Sequence, residues 1–546
     1  MQNLNSPNKD RENDTPLSSD CLSILLFLNE KECSLLWQTL RSIENQTYPC
    51  WELIIIVPDD VFLATCELHS ILTKYYIKQY NILVSSLPPH KITRKASGKF
   101  ISFIVSGDIL DENFVYSFFQ QQKNNPSLRF LYTDHKLLPA NEQQAIANFK
   151  PDWNPDYLHA YNYISRAAVF YRQDVSDLSG LPGNDKQDYF HQLIVDVTRN
   201  YQEKEIYHSA EILFYLHETG SKGDKDNLPS NKEVANSTSS PPSLIDYFIT
   251  TGNTVYPIAN KIRKLKLDRL DKPLVSIIIP TKNQSELLTQ CIDSLLKKTT
   301  YPLFELLIID NQSDEPITLA CLEQLSLKDN IQILRYPHPF NYSAINNFAV
   351  KQAKGSLIAF VNNDIEVINA TWLDEMVAQA SRPEIGCVGA KLYFPDGTIQ
   401  HGGVILGIKG SASHAHKHFP GDHPGYFNRL SVVHNVSAVT AACLVMRKEL
   451  FEEAGGFDAV NLKVAYNDVD LCLKVLALGY RNLWTPYAEL IHYESKSRGK
   501  KRSWWQRRKL RKETRFLQKK WGKLLLNDPC YNPNLTLDCE DFSPKN

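Results

Sequence analysis

Four side chains in the second half of this 546-residue chain suit polar chemistry on an anionic ligand: Asp310, Asp364, Asp468 and His492. Asp364 stands in the run FVNNDIE, behind two amides, Asn362 and Asn363. A carboxylate on such a turn can hold Mg2+ or Mn2+ against a diphosphate, because hard cations prefer oxygen ligands and keep positions open for phosphate oxygens. Taken alone, the same three residues also make a plain turn or helix cap. In YNDVDLCLKVLALGY, Asp468 and Asp470 precede an amphipathic pattern. The helix dipole favours acids there whether or not they do chemistry; the functional alternative is that one is a general base toward an attacking hydroxyl. His492 follows Trp484, Thr485 and Pro486 at what reads as a strand end. It is a structural histidine or, with an acid, a ligand to a divalent ion, and imidazole suits Mn2+ better than Mg2+.

The elements around these residues alternate. Residues 275–280 form an apolar run, 285–296 have helical spacing, and 304–310 form a second apolar run that closes on an acid. A third run at 331–335, a helical pattern at 343–353 and a strand at 357–361 follow. Continuous apolar strands separated by amphipathic helices imply a parallel sheet covered on both faces, which binds ligands at the C-terminal ends of its strands. Asp310 and the Asn362, Asn363, Asp364 cluster fall at such ends.

The first half repeats the second. CLSILLF from Cys21 answers LVSIIIP from Leu274, and TYPCWELIII from Thr47 answers TYPLFELLII from Thr300, both at a spacing of 253 residues. This is a duplication at domain scale. The polar stretch ETGSKGDKDNLPSNKEVANSTSS between the halves reads as a linker. The expected division is a disordered N-terminus at 1–20, a first domain at 21–217, a linker at 218–272, a second domain at 273–499, and a basic helical tail with a C-terminal extension at 500–546.

Composition narrows the classes. With 43% hydrophobic residues, 22% charged residues and a formal net charge of -1, the chain reads as soluble and globular, with no global pull toward nucleic acid or membrane. Eleven cysteines without a CxxC pair suggest neither a disulfide framework nor a thiolate zinc site, so a reducing compartment is expected. The first twenty residues lack the apolar run of a signal peptide, which points to a cytoplasmic protein. No GxGxxG follows a predicted first strand, so a nicotinamide enzyme is set aside.

The segments PTKN, LLIIDNQSD, FNYSAINNFA, FVNNDIE, VSAVTAACLVMRKELFEEAGGFD, NDVDLCLKV and TPYAELIHYESKSRG stand in one order and together resemble glycosyltransferase family 2, in particular bacterial enzymes of O-antigen and surface polysaccharide assembly. The resemblance covers about Pro273 to Asn534. It implies two α/β domains of the GT-A kind in tandem, Rossmann-like with a mostly parallel sheet, and an inverting displacement on a nucleoside-diphosphate sugar with a divalent cation, Mn2+ or Mg2+. Carried over by position, Pro280, Thr281, Asn283, Asp310 and Asn311 line the nucleotide pocket. Asn362 and Asp364 occupy the two ends of the family's DxD, with Asn363 between them. Asp468 matches the base, and His492 the metal-facing histidine. The first DxD acid is replaced by Asn362, so one direct carboxylate is expected there. The implied acceptor is a glycan or lipid-linked glycan.

Two further segments carry expectations. The GGFD turn at 455–458 suggests close approach of the acceptor. His414, His416 and His418 alternate as on one face of a strand, which fits either a zinc site or a flexible acceptor loop.

The first half resembles the same family more faintly, through QTYPCWELIII, FKPDWNPDYL and YNYISRAAVFYR. Phe27 stands for Pro280 and Val57 for Asp310, while Ser106 and Asp108 stand for Asn362 and Asp364. Asp188 and His217 could echo the base and the histidine. Without its nucleotide-facing acid this half is expected to be a degenerate, non-catalytic copy, and a scaffold of two worn copies is the competing reading for the whole chain. Fourteen Lys and Arg among the twenty-eight residues 496–523 mix with aromatics. That pattern suits peripheral contact with an anionic membrane at the inner face of the plasma membrane, or a solvated helix closing over the enzyme, in preference to nucleic acid.

Overall fold

The structure, a computed structural model, describes residues 21–28, 34–57, 68–74, 80–84, 89–138, 145–178, 189–217, 272–494 and 504–545. The expected linker and Asp188 lie outside the described residues. These residues fall into two compact units. One holds the chain up to Asn148 and again from Ile164 to His217; the other holds Phe149–Tyr163 and the chain from Lys272 onward.

Each unit is built on one mixed sheet, and the two sheets have the same strand order. In the second unit Ile331–Arg335, Phe304–Asp310, Val275–Thr281 and Leu357–Val361 lie side by side and parallel. Cys443–Arg447 then pairs antiparallel to Leu357–Val361, followed by Ile385–Tyr393, Arg481–His492 and Ile365–Val367. In the first unit the order is Tyr80–Val84, Trp51–Val57, Leu22–Phe27, Phe100–Val105, Ala168–Tyr171, Phe130–Leu138, Ile206–His217 and Ile109–Leu110. The duplication read from two short segments therefore extends through the whole sheet.

The inner strands of the second unit, Val275–Thr281 and Leu357–Val361, are mostly apolar because both faces are covered, by Ser285–Lys298 and Trp372–Ala380 on one side and by Tyr342–Val350 and Asn467–Ala477 on the other. Burial of these faces, at roughly 25 cal/mol per Å2 of apolar surface, is the main force that fixes the strand ends where the polar residues sit. Among the described residues no helix is long and apolar enough to cross a membrane.

Two segments differ from their expected places. Residues 149–163, assigned by sequence to the first domain, are part of the second unit: Asp156 is fully buried against Arg382 (2.7 Å), Arg481 (3.5 Å) and Asn435 (2.6 Å). The described part of the tail is likewise built into that unit. The helix Trp504–Leu526 buries Leu517 and Leu525 in its core, and Tyr531, Leu535 and Phe542 pack with Ile405, Ile408 and Ala415.

The three histidines do not share a face. The strand Ala412–His414 ends at the first, and positive φ at His416 (56°) and His418 (66°) turns the backbone after it. His414 meets His401, His416 stacks on Phe542 at 4.5 Å, and His418 stacks on Phe394 at 4.8 Å. Their rings diverge, so they form no zinc site, and the first two are packed, in contrast to a flexible loop.

Candidate active site

Three adjacent parallel strands deliver the expected ligand residues to one edge of the sheet. Thr281 and Asp310 are register partners at the ends of their strands, and Asn362 follows Val361 at the end of the next. The Asn363 amide donates to Thr281 Oγ1 at 3.1 Å, which joins the two loops. Asp310 is fully buried; its Oδ1 accepts from the Ser313 N–H (3.0 Å) and its Oδ2 from Arg335 (2.5 Å), whose side chain is largely exposed. Sequence reading gave no role to Arg335, although it closes the next strand as Asp310 closes its own.

The side chains of Asn283 and Asn311 are engaged by the protein's own polar groups. Asn283 bridges to the following loop through Asp314 Oδ1 and the N–H groups of Asp314 and Glu315. Its own backbone has φ 53°, a conformation that Asn tolerates better than most residues. The Asn311 amide donates to the carbonyls of Tyr336 and His338. Both shape the rim beside Pro280. That is the part of the site where their expected role lay, but their side-chain amides are already engaged.

At the next strand end Asp364 is nearly buried, and His492 Nε2 lies 3.1 Å from its Oδ1. The strand pair Ile365–Val367 and Arg481–His492 sets this meeting, with Ile365 opposite His492. Gln400 fixes the imidazole. Its amide nitrogen faces two acceptors, the His492 carbonyl (3.3 Å) and Glu494 (3.4 Å), so its oxygen faces His492 Nδ1 at 2.6 Å. Nδ1 therefore donates, and in the neutral ring Nε2 is left as a lone pair beside Asp364, the arrangement that a metal-facing histidine needs. The Asn362 amide donates to the same Nε2 at 3.2 Å.

Asp468 sits in the first turn of the helix Asn467–Ala477, behind Tyr466 in a left-handed conformation (φ 59°). Its Oδ2 accepts from the Ala441 N–H (3.1 Å) and its Oδ1 from Val469 (2.9 Å). Burial raises its carboxyl above the ordinary carboxylate range, against the pull of those N–H groups and the Thr440 hydroxyl. Asp470, two residues on, is fully buried and paired with Lys520 (2.6 Å) and Lys474 (3.2 Å). Of the two acids, only Asp468 faces the strand ends.

One chain of contacts links this carboxylate to the Asp364 turn. Ala441, which bonds Asp468, offers its carbonyl to the Tyr342 hydroxyl (3.1 Å), and the same hydroxyl reaches Asn362 Oδ1 (3.3 Å). Asn362 then contacts His492. Tyr342 and Ala441 lie in two quoted motifs, FNYSAINNFA and VSAVTAACLV, but their part in the site is visible only in three dimensions. His401 supports the same loop. Its Nε2 accepts from the Thr440 N–H (3.4 Å), so its Nδ1 carries the proton and donates to His414 Nδ1 (2.7 Å). Burial keeps both rings neutral, with His414 pushed down to about 3.

Carboxylates and a histidine thus meet at one edge of the sheet, with a second acid on an adjacent helix N-terminus, and the same stretch of chain is similar to known proteins. Residues 276–455 match the family described as "Glycosyl transferase family 2". This segment is a family 2 glycosyltransferase domain. The chain is also 38% identical over 538 residues to a protein of Sinorhizobium fredii, "Uncharacterized protein y4gI", covering 95% of this chain and 58% of that one. It is 33% identical over 551 residues to the O-antigen biosynthesis protein RfbC of Myxococcus xanthus, covering 95% of this chain and 40% of that protein. The chain thus spans about half the length of these relatives. Among solved structures, the mannosyltransferase PcManGT of Pyrobaculum calidifontis, in complex with GDP-Man and Mn2+, matches at 18% identity with a TM-score of 0.32, over 42% of this chain and 59% of that one.

The equivalent edge of the first unit is closed. Asp108 is fully buried in a two-point ion pair with Arg166 (2.7 and 2.6 Å) and accepts the N–H groups of Val105 and His217. A guanidinium thus neutralises the one carboxylate that this turn retains. Strand pairing puts Tyr215 opposite Ile109, as His492 is opposite Ile365, so His217 falls two residues past the place of the histidine. Its ring is shifted down by burial and its Nδ1 has no hydrogen-bond partner.

Proposed function

We propose that the second unit transfers a sugar from a nucleoside-diphosphate sugar to a hydroxyl of a glycan or lipid-linked glycan in cell-surface polysaccharide synthesis, with inversion at the anomeric carbon. The observation that supports this reading is the contact chain from Asp468 through Ala441, Tyr342 and Asn362 to His492 and Asp364, which joins the Asp468 carboxylate and the Asp364 turn at one strand edge.

In this reading Asp468 Oδ takes the proton of the acceptor hydroxyl as its oxygen bonds to the anomeric carbon, and the bond from that carbon to the diphosphate oxygen breaks with its electrons on the leaving group. Burial favours the protonated acid that results. Thr281, Asn363, Asp310 and Arg335 hold the nucleotide end, with Pro280, Asn283 and Asn311 shaping its rim. Asp364 and His492 fit a divalent cation, Mn2+ before Mg2+, which when bound neutralises charge on the diphosphate. Among the described residues no third His, Cys, Asp or Glu joins them, so further ligands would be water and phosphate oxygens.

Incubating the full chain with common nucleoside-diphosphate sugars and Mn2+ or Mg2+, and following nucleoside diphosphate release and the anomeric configuration of the product by NMR, tests this directly. Release that a chelator leaves untouched contradicts the metal assignment, and a retained configuration contradicts the single displacement.

The first unit serves in this account as a non-catalytic partner domain, because Arg166 occupies Asp108. The outer side of the helix Trp504–Leu526 exposes Arg507, Arg508, Lys509, Arg511, Lys512, Arg515, Lys519 and Lys523. This face supports peripheral contact with an anionic membrane carrying the acceptor. Flotation with phosphatidylglycerol vesicles at low salt, lost at high salt, is the expected result; no binding at low salt removes the idea.

A further inference from the structure

The helix Trp504–Leu526 carries a single acid, Glu513, among its many cations, and that acid is buried, 3% exposed. Its two oxygens are aimed at the backbone of one loop: Oε1 accepts from the Lys463 N–H at 3.2 Å and Oε2 from the Ala465 N–H at 2.9 Å. The loop runs directly into Tyr466, held at φ 59°, and Asp468.

Seven residues along the same helix, two turns and therefore on the same side, Lys520 donates to Asp470 Oδ1 at 2.6 Å, and the neighbouring Trp521 indole donates to the same oxygen at 2.8 Å. Asp470 belongs to the helix that begins with Asp468. One carboxylate from each element is thus gripped by the other, at residues 463–465 and at 470, and Asp468 lies between the two grips. From the opposite side Ser343 holds the Leu462 carbonyl and receives the Asn467 amide.

We propose that Glu513 is a positioning residue for the sugar-transfer reaction: with the Lys520 and Trp521 contacts to Asp470, it makes the C-terminal helix a clamp that holds Asp468 at its post. This rests on the reading of Asp468 as the base. Removing the Glu513 charge leaves two N–H groups of the loop weakly paired and frees the backbone that presents the base. A displacement of about 1 Å from such a change is enough to lower a rate about a hundredfold. The loosened loop also admits water to Asp468, which relieves the burial that opposes its ionisation.

The test uses the full chain and a nucleoside-diphosphate sugar that the wild type turns over, with the variants Glu513→Gln, Lys520→Met and Asp468→Asn. Glu513→Gln is expected to lower kcat by about ten- to a hundredfold, to leave the donor KM within about twofold, and to move the acidic limb of the pH–rate profile to lower pH. Hydrogen exchange at Lys463 and Ala465 should accelerate in the same variant. Lys520→Met, which leaves Asp470 its Lys474 and Trp521 partners, should show the same pattern more weakly and serves alone if Glu513→Gln does not fold. A wild-type kcat in the folded variants overturns the proposal. So does a kcat loss that only tracks the loss of folded protein, with the pH limb unmoved. An Asp468→Asn variant with wild-type kcat instead removes the base assignment, whatever Glu513→Gln does.

Discussion

Asp364 Oδ1 and His492 Nε2 stand 3.1 Å apart, and Gln400 commits the other imidazole nitrogen to donating a hydrogen bond. The Nε2 lone pair, which also receives the Asn362 amide at 3.2 Å, and the Asp364 oxygen are close enough to face one cation together. In the proposed reading Gln400 acts on metal affinity through His492, and such outer partners are commonly worth about 10- to 100-fold. Gln400→Leu should raise the Mn2+ concentration for half-maximal rate by about that factor, with kcat at saturating Mn2+ close to wild type. A metal titration of initial rates reads this, and an unchanged midpoint contradicts the role of the pair.

Asp468 should show in the pH profile. A base whose carboxyl is raised by burial loses its reactive, ionised form as pH falls through that raised value, so kcat should decline on the acid side at a pH above the range of an ordinary aspartate. The raised value also means that Asp468 costs stability progressively as pH rises from the unfolded value, about 3.9, through its own raised value. Asp468→Asn should therefore be inactive yet melt no lower than wild type at neutral pH. A large fall in Tm would mark the carboxylate as structural.

In the first unit the Asp108–Arg166 pair stands where the second has its open turn. Breaking a buried pair by removing one partner typically costs about 3–5 kcal/mol, because the other charge is left uncompensated. Arg166→Leu should destabilise the first unit by about that amount in a denaturant titration, while Asp108→Leu with Arg166→Leu together should cost much less. Equal losses in the single and double variants would show that the two do not act as a pair.

Asp156 ties residues 149–163 into the second unit. Burial works against its ionisation, but Arg382, Arg481 and the Asn435 amide outweigh that and hold its carboxyl below the ordinary range. A lowered carboxylate value contributes stability that is full above the unfolded value, about 3.9, and is lost as pH falls through the folded one. Asp156→Ala should cost about 3–5 kcal/mol at neutral pH, with the gap to wild type closing in strong acid. A gap independent of pH would locate the effect in packing alone. The same contacts predict that a fragment starting at residue 272 is less stable than the full chain.

Much of the strand framework was legible because it depends on local pattern. The strands at 304–310 and 357–361 begin and end where mostly apolar runs meet polar residues. The places of Asp310, Asp364, Asp468 and His492 at element ends were legible because each follows, closes or opens such an element. Tyr342, Gln400 and Ala441 were not, since they reach the site through strand pairings and helix packing between segments 20 to 100 residues apart. The alternation of His414, His416 and His418 misled because two left-handed backbone positions, invisible in the residue types, break the strand period. Arg166 gave no sign of its place. Glu513 did give one, as the lone acid in a basic helix, but nothing in sequence told which loop it would cap.

The most direct measurement is the rate of nucleoside diphosphate release, with acceptor present, by the wild type and by Asp468→Asn at saturating donor and Mn2+. The account predicts a loss of about a hundredfold or more in the variant, with the fold and donor binding retained. Equal rates in the two proteins would contradict it.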